Sequence, residues 1–271
     1  TRWLSDWSSD VCSSDLMEFW LEQLVLLVVS LVANAFSALA GGGAGLLQFP
    51  ALLWLGLPFA VALATHKVAS VALGIGATLR YMQSGLLSWR LSLLILAAGL
   101  PGVWLGAMSV LALPEQTLLI ALGLLTMAMG LYSMKQASLG LEQRQIMRSP
   151  LQMGLGAVVL ALIGVLNGSL TSGTGLFVTL WLVRWYGLDY KQAVAYTLVL
   201  VGFFWNGLGG LTLAVVGEVR WDWLPTLLIG SLVGGYLGAH WALLKGNLWV
   251  KRAFEWVTLL TGVSLLIRAA F

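Results

Sequence analysis

Residues 37–58 read SALAGGGAGLLQFPALLWLGLP, with glycine at positions 41, 42, 43 and 45. This run interrupts a chain that is otherwise strongly apolar, with 59% hydrophobic residues, 9% charged residues and a mean hydropathy of +0.92. A soluble domain of 271 residues cannot bury that much apolar side chain. The composition therefore predicts a membrane protein, with room for about eight to ten spans of roughly 20 residues each.

The first sixteen residues differ from the rest of the chain. The polar run DWSSDVCSSDL (residues 6–16) can be back-translated into a common sequencing-adaptor oligonucleotide, so we interpret residues 1–16 as an assembly artefact and Met17 as the start. The alternative is a disordered native N-terminus. Excluding this segment removes Cys12, the only cysteine, and with it disulfide, thiol and Cys-metal chemistry. The remaining 13 Lys+Arg and 8 Asp+Glu give a net charge of +5, which is typical of cytoplasmic loops and does not imply nucleic-acid binding.

Two halves of the chain align with an offset near 130 residues. GAGLLQFPALLWLGL (Gly43–Leu57) matches GTGLFVTLWLVRWYGL (Gly173–Leu188), and GVWLGA (Gly102–Ala107) matches GGYLGA (Gly234–Ala239). Further matches keep the same order, which indicates an internal repeat. The predicted parts after the artefact are a first transmembrane repeat at 17–134, a cytoplasmic linker at 135–150 and a second transmembrane repeat at 151–271.

Each half contains five apolar segments, and the second one is only about 12–14 residues long. The segments lie at about 20–40, 44–57, 60–82, 89–111 and 116–134, and at about 151–168, 174–186, 190–215, 222–243 and 248–268. A segment as short as the second is too short for an ordinary span and fits a half-helix or re-entrant piece. The predicted fold is an all-α polytopic membrane protein of two repeats. Each repeat has a Gly-broken short helix or re-entrant hairpin plus three full spans, with about eight spans in all.

Positive charge selects between two topologies. If the first two segments of each half form a hairpin, ten Lys and Arg residues share one face and only Arg220 and Arg268 lie on the other. If they form one broken span, the split is seven to five. The positive-inside rule favours the hairpin, with both termini on the non-cytoplasmic side. The two repeats are then inverted relative to each other.

The glycine runs AGGGAG (Ala40–Gly45) and TSGTG (Thr171–Gly175) break a helix at corresponding places in the two halves. Such breaks in inverted repeats are typical of secondary transporters. Unwound backbone is tolerated in a membrane only where it faces protein or a watery cavity, and the following helix N-terminus favours anions. The structural alternative is close helix packing. A dinucleotide fingerprint does not fit, because Gln48 stands where its third glycine belongs and no strand precedes the run.

The run ATHKVAS places His66 and Lys67 inside an apolar segment. A lysine near the bilayer centre costs roughly 2.5–3.5 kcal/mol, so a cavity or a partner is expected. The apolar segments carry no obvious acidic counter-charge, which favours an anionic substrate over a metal cation. The alternatives are that Lys67 extends to the outer interface and that His66 is a packing residue.

Asparagines precede both breaks, Asn34 seven residues before Gly41 and Asn167 six residues before Gly173. They either line the site or hold helices together. The expected substrate-binding residues are Gly41, Gly42, Gly43, Gly45, Thr65, His66, Lys67, Ser172, Gly173, Thr174, Gly175 and Asn206. We expect no catalytic residue, metal or cofactor, since the H-E-x-x-H, G-K-[ST] and G-x-S-x-G motifs are absent.

Two longer stretches resemble the sulfite exporter TauE/SafE family of membrane permeases. They are NAFSALAGGGAGLLQFPALLWLGLPFAVALATHKVASVALGIGATLRYMQSGLL and LNGSLTSGTGLFVTLWLVRWYGLDYKQAVAYTLVLVGFFWNGLGGLTLAVVGEV. The resemblance covers nearly the whole chain from Met17 and places Thr65, Lys67 and Asn206 in family motifs. It also shows departures. Asn34 and Asn167 stand where many members look acidic, and Leu198 follows Thr197 where a lysine is usual.

The resemblance implies a multi-pass permease of a bacterial-type inner membrane, moving sulfite, an organosulfonate or a related anion. Its expected partners are the lipid bilayer and a small anionic substrate, not nucleic acid. The first hypothesis is therefore a secondary transporter working by alternating access, with no enzyme activity. The alternative is a non-transporting membrane protein, such as an assembly partner or an intramembrane enzyme. The coupling ion, direction of transport and oligomeric state do not follow from the sequence.

Overall fold

The fold is built from helices that differ strongly in length. The computed structural model describes residues 9–42, 45, 47–109, 114–144, 146, 149–170 and 174–270, and within these ranges it contains no strand. The helices of the first half are α1 (Ser9–Ala40), α2 (Gln48–Trp54), α3 (Phe59–Tyr81), α4 (Trp89–Ser109) and α5 (Glu115–Lys135). Those of the second half are α6 (Pro150–Ser169), α7 (Gly175–Tyr186), α8 (Tyr190–Tyr196), a π-helical segment (Thr197–Trp205), α9 (Asn206–Val216), α10 (Leu224–Lys245) and α11 (Asn247–Ala270).

Helix length separates membrane spans from short helices. In the described part of the chain, seven helical stretches are long and apolar enough to cross a membrane, and α5 adds a shorter apolar stretch, Leu119–Lys135. One of the seven, Tyr190–Val216, joins α8, the π-helical segment and α9. By contrast, α2 and α7 measure about 10 and 18 Å at 1.5 Å per residue, less than the roughly 30 Å hydrocarbon core. The predicted all-α polytopic fold with two short helices is confirmed.

Local signals fix where several of these helices begin and end. Ser149 and Gln152 form a reciprocal capping box ahead of α6, which starts at Pro150. Asp189 caps α8 by accepting the backbone N–H of Gln192 at 2.8 Å. At the end of α7, Gly187 has φ +73°, a left-handed conformation that glycine adopts without strain.

Glycines bring α10 against α1. A Cβ added to Gly234 would lie 2.5 Å from the carbonyl oxygen of Leu31, and one added to Gly238 would lie 2.2 Å from that of Ala35. Because both residue numbers rise together along the contact, the two helices run in the same direction. Small residues of this kind allow backbones in a membrane to approach closely.

The contact between α4 and α6 is built in the same way. A Cβ on Gly102 would lie 2.2 Å from the carbonyl oxygen of Ala161, and one on Gly106 would lie 2.1 Å from that of Val165. In the alignment of the two halves, Gly102 corresponds to Gly234 and Gly106 to Gly238. The carbonyls they contact also correspond, since Leu31 and Ala161, and Ala35 and Val165, are about 130 residues apart. Exchanging the two halves therefore exchanges the two contacts, as an internal repeat would require. The inverted repeat itself stays a prediction.

Two hydrogen bonds align α3 with α10. The Thr65 hydroxyl accepts the backbone N–H of Arg220 at 2.9 Å, just before α10 begins, and Arg80 Nε donates to His240 Nδ1 at 3.0 Å near its end. The helices α1, α3 and α10 thus form a parallel layer. The π-helical segment packs on α3, where a Cβ on Gly74 would lie 2.4 Å from the backbone nitrogen of Phe203.

Candidate functional site

Three consecutive polar residues of α3 lie at the centre of the protein. Thr65, His66 and Lys67 are each fully buried, with no exposed surface. Because successive residues of a helix point about 100° apart, each one meets a different neighbour. Thr65 holds the segment before α10 through the Arg220 N–H, His66 faces α2, and Lys67 faces α6. This part of α3 therefore connects both halves of the chain.

Lys67 belongs to a group of four buried residues that we call the Lys67 cluster: Lys67, Asn167, Thr174 and Asn206. The Lys67 ammonium donates to the backbone oxygen of Asn167 at 2.5 Å and to its Oδ1 at 3.3 Å. Asn167 Nδ2 donates in turn to Thr174 Oγ1 at 3.0 Å and to Asn206 Oδ1 at 3.4 Å. The cluster joins α3, α6, α9 and the residue that precedes α7.

The Lys67 cluster contains donors that find no acceptor among the described residues. An ammonium group has three N–H donors, and two acceptor atoms contact the one on Lys67. Since Asn206 uses its Oδ1 to accept from Asn167, its Nδ2 is directed elsewhere, and that nitrogen is buried with no hydrogen-bond partner among the described residues. The ion pairs in the described part of the chain are Arg220–Asp222 and Lys251–Glu255, so Lys67 has no carboxylate there.

A second buried group surrounds His66 and consists of His66, Gln48, Ser30, Asn34 and Ser231. We call it the His66 cluster. His66 Nδ1 lies 3.1 Å from Gln48 Oε1, and Gln48 Nε2 donates to the hydroxyl groups of Ser30 at 3.0 Å and Ser231 at 3.4 Å. Because Gln48 is the first residue of α2, this cluster ties the helix after the first break to α1, α3 and α10.

Asn34 completes the His66 cluster from α1. Its Nδ2 donates to the backbone oxygen of Ser30 at 2.6 Å and to the hydroxyl of Ser231 at 3.1 Å. The Ser30 hydroxyl donates to the backbone oxygen of Leu227 at 2.8 Å. No lysine, arginine or carboxylate is among its five members, which are fully buried. The cluster therefore has the character of hydrogen-bonded contact between helices.

The two breaks lie side by side. Thr179 of α7 donates to the backbone oxygen of Gly41 at 2.9 Å and shares a 2.8 Å hydrogen bond with Thr197. A Cβ on Gly175 would lie 3.2 Å from the backbone oxygen of Gly42, so the backbones of the two breaks nearly touch. The N–H of Gly42 is already bonded to the Ser37 carbonyl at 3.0 Å, and the first break presents carbonyl groups to α7.

The expected substrate-binding residues and the possible lining residues thus divide into groups. Lys67, Asn167, Thr174 and Asn206 come together, while Asn34 and His66 lie in the other cluster and Thr65 holds a loop. Gly41, Gly42 and Gly175 form the contact between the breaks, and Gly45 is buried nearby along the chain. Gly43, Ser172 and Gly173 lie outside the described residues.

Sequence reasoning missed several members of these groups. Gln48, Ser30, Ser231, Thr179 and Thr197 are buried polar residues in apolar segments, and none was among the expected site residues. Gln48 carried a usable signal, as the one amide in the short segment after the first break. Single serines and threonines carry none, because a hydroxyl can bond to a carbonyl of its own helix.

The arrangement of long helices, two short helices and buried polar clusters defines a polytopic α-helical membrane protein with polar groups buried between its helices. A family model for the sulfite exporter TauE/SafE family matches residues 26–265. The chain therefore belongs to the sulfite exporter TauE/SafE family, as the resemblance predicted.

The names of similar proteins are consistent with this family membership. The chain is 30% identical to a probable membrane transporter protein of Haemophilus influenzae over 84% of this chain and 88% of that protein. It is 29% identical to the probable membrane transporter protein YfcA of Escherichia coli K12, covering 89% of this chain and 88% of that one. The probable membrane transporter protein YdhB of Bacillus subtilis is 24% identical over 90% and 99%. No solved structure matches the chain. The family and these relatives identify a multi-pass membrane protein of a transporter family.

Proposed function

We propose that this protein is a secondary transporter that moves a small sulfur-containing anion, such as sulfite or an organosulfonate, by alternating access, with the anion bound at the Lys67 cluster. One observation carries the proposal. A buried ammonium and a buried amide with an unpartnered Nδ2 lie in one cluster, in which the described residues place no carboxylate. Donors without matching acceptors at membrane depth suit a ligand that brings negative oxygens.

Each residue of the cluster has a distinct part in binding. Lys67 supplies the positive charge, and Asn206 supplies N–H donors that orient the sulfonyl oxygens. Asn167 accepts from the ammonium at 2.5 and 3.3 Å, which leaves the third N–H for the anion. An anion that takes a second N–H exchanges with the longer of these two contacts. Thr174 couples this exchange to the second break, because it bonds to Asn167 and directly precedes α7.

The position of the cluster supports alternating access. Lys67 lies on α3 in the layer formed with α1 and α10, while its partner Asn167 lies on α6, which packs against α4. The site therefore lies between two sets of helices that run in opposite directions if the predicted inverted repeat holds. Movement of one set against the other would then expose the cluster to either side in turn.

The test is flux of labelled sulfite and a labelled alkanesulfonate into vesicles that contain the purified protein, compared with a Lys67→Met variant. A hydrogen bond to a charged group contributes about 1.5–3 kcal/mol, so we expect the KM to rise roughly 10- to 100-fold. Methionine has a similar length and removes the buried charge, but it leaves two Asn167 oxygens without their donor. The melting temperature and monodispersity of the variant are therefore measured together with flux. Lys245→Met, at an exposed lysine, is the matched control and should retain flux.

Two results would contradict the proposal. The first is unchanged flux in Lys67→Met, which would show that the anion binds elsewhere. The second is absence of flux of either anion in vesicles with native, monodisperse protein, which would favour the alternative of a non-transporting membrane protein.

A further inference from the structure

A polar cavity lies at one end of α5 and α7, away from both polar clusters. Its volume is about 270 Å³, and none of the residues of the Lys67 or His66 clusters lines it. The residues that matter for its chemistry are Tyr132, Gln136, Glu142, Arg144, Arg184 and Gly187. The cavity is therefore built from the last turn of α5, the following linker and the last turn of α7.

Two hydrogen bonds hold the walls of this cavity in place. Arg184 Nε on α7 donates to the hydroxyl oxygen of Tyr132 on α5 at 3.0 Å. The backbone N–H of Arg144 in the linker donates to the carbonyl of Gly187 at 2.7 Å. The second bond satisfies a carbonyl at the C-terminal end of α7, so that carbonyl is not an open acceptor for a cation. Both arginines thus reach the cavity from fixed backbone positions.

The charge of the cavity favours an anion. Two guanidinium groups, of Arg144 and Arg184, face one carboxylate, of Glu142. Neither arginine takes part in an ion pair with any residue that the structure describes. Arg184 uses only Nε on Tyr132, which leaves its terminal N–H groups and the phenolic proton of Tyr132 available as donors. Such a set of planar, forked donors matches the oxygens of a phosphate group.

The surroundings of the cavity are those of a membrane interface. Trp181 and Trp185, in the last two turns of α7, stack with ring centroids 4.8 Å apart and an angle of 11°. Tryptophan is enriched at the level of lipid headgroups, and basic pockets between membrane helices bind acidic headgroups. The predicted topology also places this end of α7 on the cytoplasmic side. A lipid headgroup would lie at the same level of the membrane as the two arginines.

We propose that this cavity binds the phosphate group of an anionic ligand between Arg144 and Arg184. Two sources share this chemistry, an acidic phospholipid headgroup and a soluble phosphate. Because phosphate is held by the arginines and by the Tyr132 hydroxyl, the ligand joins the linker to the ends of α5 and α7. The bound form should therefore be more resistant to unfolding than the free form.

The experiment measures the melting temperature of the full-length protein in zwitterionic detergent. Three additions are compared: phosphatidylglycerol, phosphatidylcholine and inorganic phosphate. We expect phosphatidylglycerol to raise the melting temperature by about 3 °C or more, and phosphatidylcholine to have no such effect. The shift should disappear in the double variant Arg144→Gln/Arg184→Gln and persist in Lys245→Gln. Tyr132→Phe removes one phosphate donor and the Arg184 hydrogen bond but keeps both charges, so it should reduce the shift without abolishing it.

The outcomes separate the two sources and the two sites. If inorganic phosphate produces the same variant-dependent shift, the ligand is a soluble phosphate. If only phosphatidylglycerol produces it, the ligand is a lipid headgroup. Equal shifts in the native protein and the double variant, or no shift with either addition, would overturn the proposal. Lys67→Met should keep the phosphatidylglycerol effect, so this result does not depend on whether the Lys67 cluster transports an anion.

Discussion

The His66 and Lys67 clusters start from adjacent residues of α3 but differ in charge. Each contains an asparagine from the first helix of one half, Asn34 or Asn167, and each borders the helix that follows a break. The His66 cluster is neutral and joins helices of the first half to α10. The Lys67 cluster contains an ammonium and an amide nitrogen that no described residue accepts from.

This difference distinguishes the glycine contacts that hold the helices together, here called the scaffold, from the polar residues of the proposed site. The two helix contacts made by glycine, α10 on α1 and α4 on α6, are alike, with carbonyl oxygens 2.1–2.5 Å from the added Cβ positions. The polar residues placed by that scaffold are not the same, and the second half has Leu198 where its lysine would be expected. In the proposed function, anion binding is therefore assigned to the Lys67 cluster alone.

The two glycine contacts should be equally sensitive to a larger side chain. Gly106→Leu and Gly238→Leu each place a side chain against a backbone oxygen, 2.1 Å away at Val165 and 2.2 Å away at Ala35. Backbone cannot move aside without separating the helices, so we expect each variant to lose about 3 kcal/mol or more of stability. Thermal unfolding followed by fluorescence-detected gel filtration measures both.

Gly154→Leu is the matched control, since no atom lies within 4 Å of a Cβ at that helical position. It should unfold close to the native temperature. A large loss in only one of the two test variants would contradict the equivalence of the two helix contacts.

The polar clusters, in contrast, should respond unequally to the same chemical change. Asn167→Asp places a carboxylate next to the Lys67 ammonium, where Oδ1 now lies at 3.3 Å. The internal ion pair takes the place of the substrate, so we expect a folded protein whose KM for the anion rises at least about 10-fold. Vesicle flux measured over a range of sulfite concentrations gives this value.

Asn34→Asp puts the same carboxylate into a cluster with no lysine or arginine. An unpaired buried charge costs about 3–5 kcal/mol, so we expect this variant to be less stable. The fraction that folds should keep its KM for the anion. A stable Asn34→Asp with a raised KM would mean that the His66 cluster also binds the anion.

Most of the fold could be predicted because membrane spans are set by composition along the chain. The short helix expected at 174–186 is observed as Gly175–Tyr186, since Gly187 ends it locally. The one expected at 44–57 is shorter, Gln48–Trp54, because the chain turns at Gly56, where φ is +92°. Such a turn depends on backbone geometry more than on hydrophobicity.

The site was predictable only in part. Lys67 was identifiable because a buried charge is costly wherever it lies in a membrane. The grouping of Asn34 with Ser231 was not, since the two are 197 residues apart and meet only through the packing of α1 on α10. Side chains that depend on a distant helix for their partners carry no local signal.

The separateness of the two clusters gives the smallest and most specific prediction. Gln48 contacts His66 but not Lys67, although those residues are neighbours on α3. A double-mutant cycle with Gln48→Leu and His66→Phe should give a coupling energy of about 0.5–1.5 kcal/mol, the net value of a buried hydrogen bond. The cycle with Gln48→Leu and Lys67→Met should be additive within about 0.5 kcal/mol. Unfolding free energies in mixed micelles provide both numbers. Equal coupling in the two cycles would mean that α3 transmits strain between the clusters, and the polar centre would then have to be treated as one network.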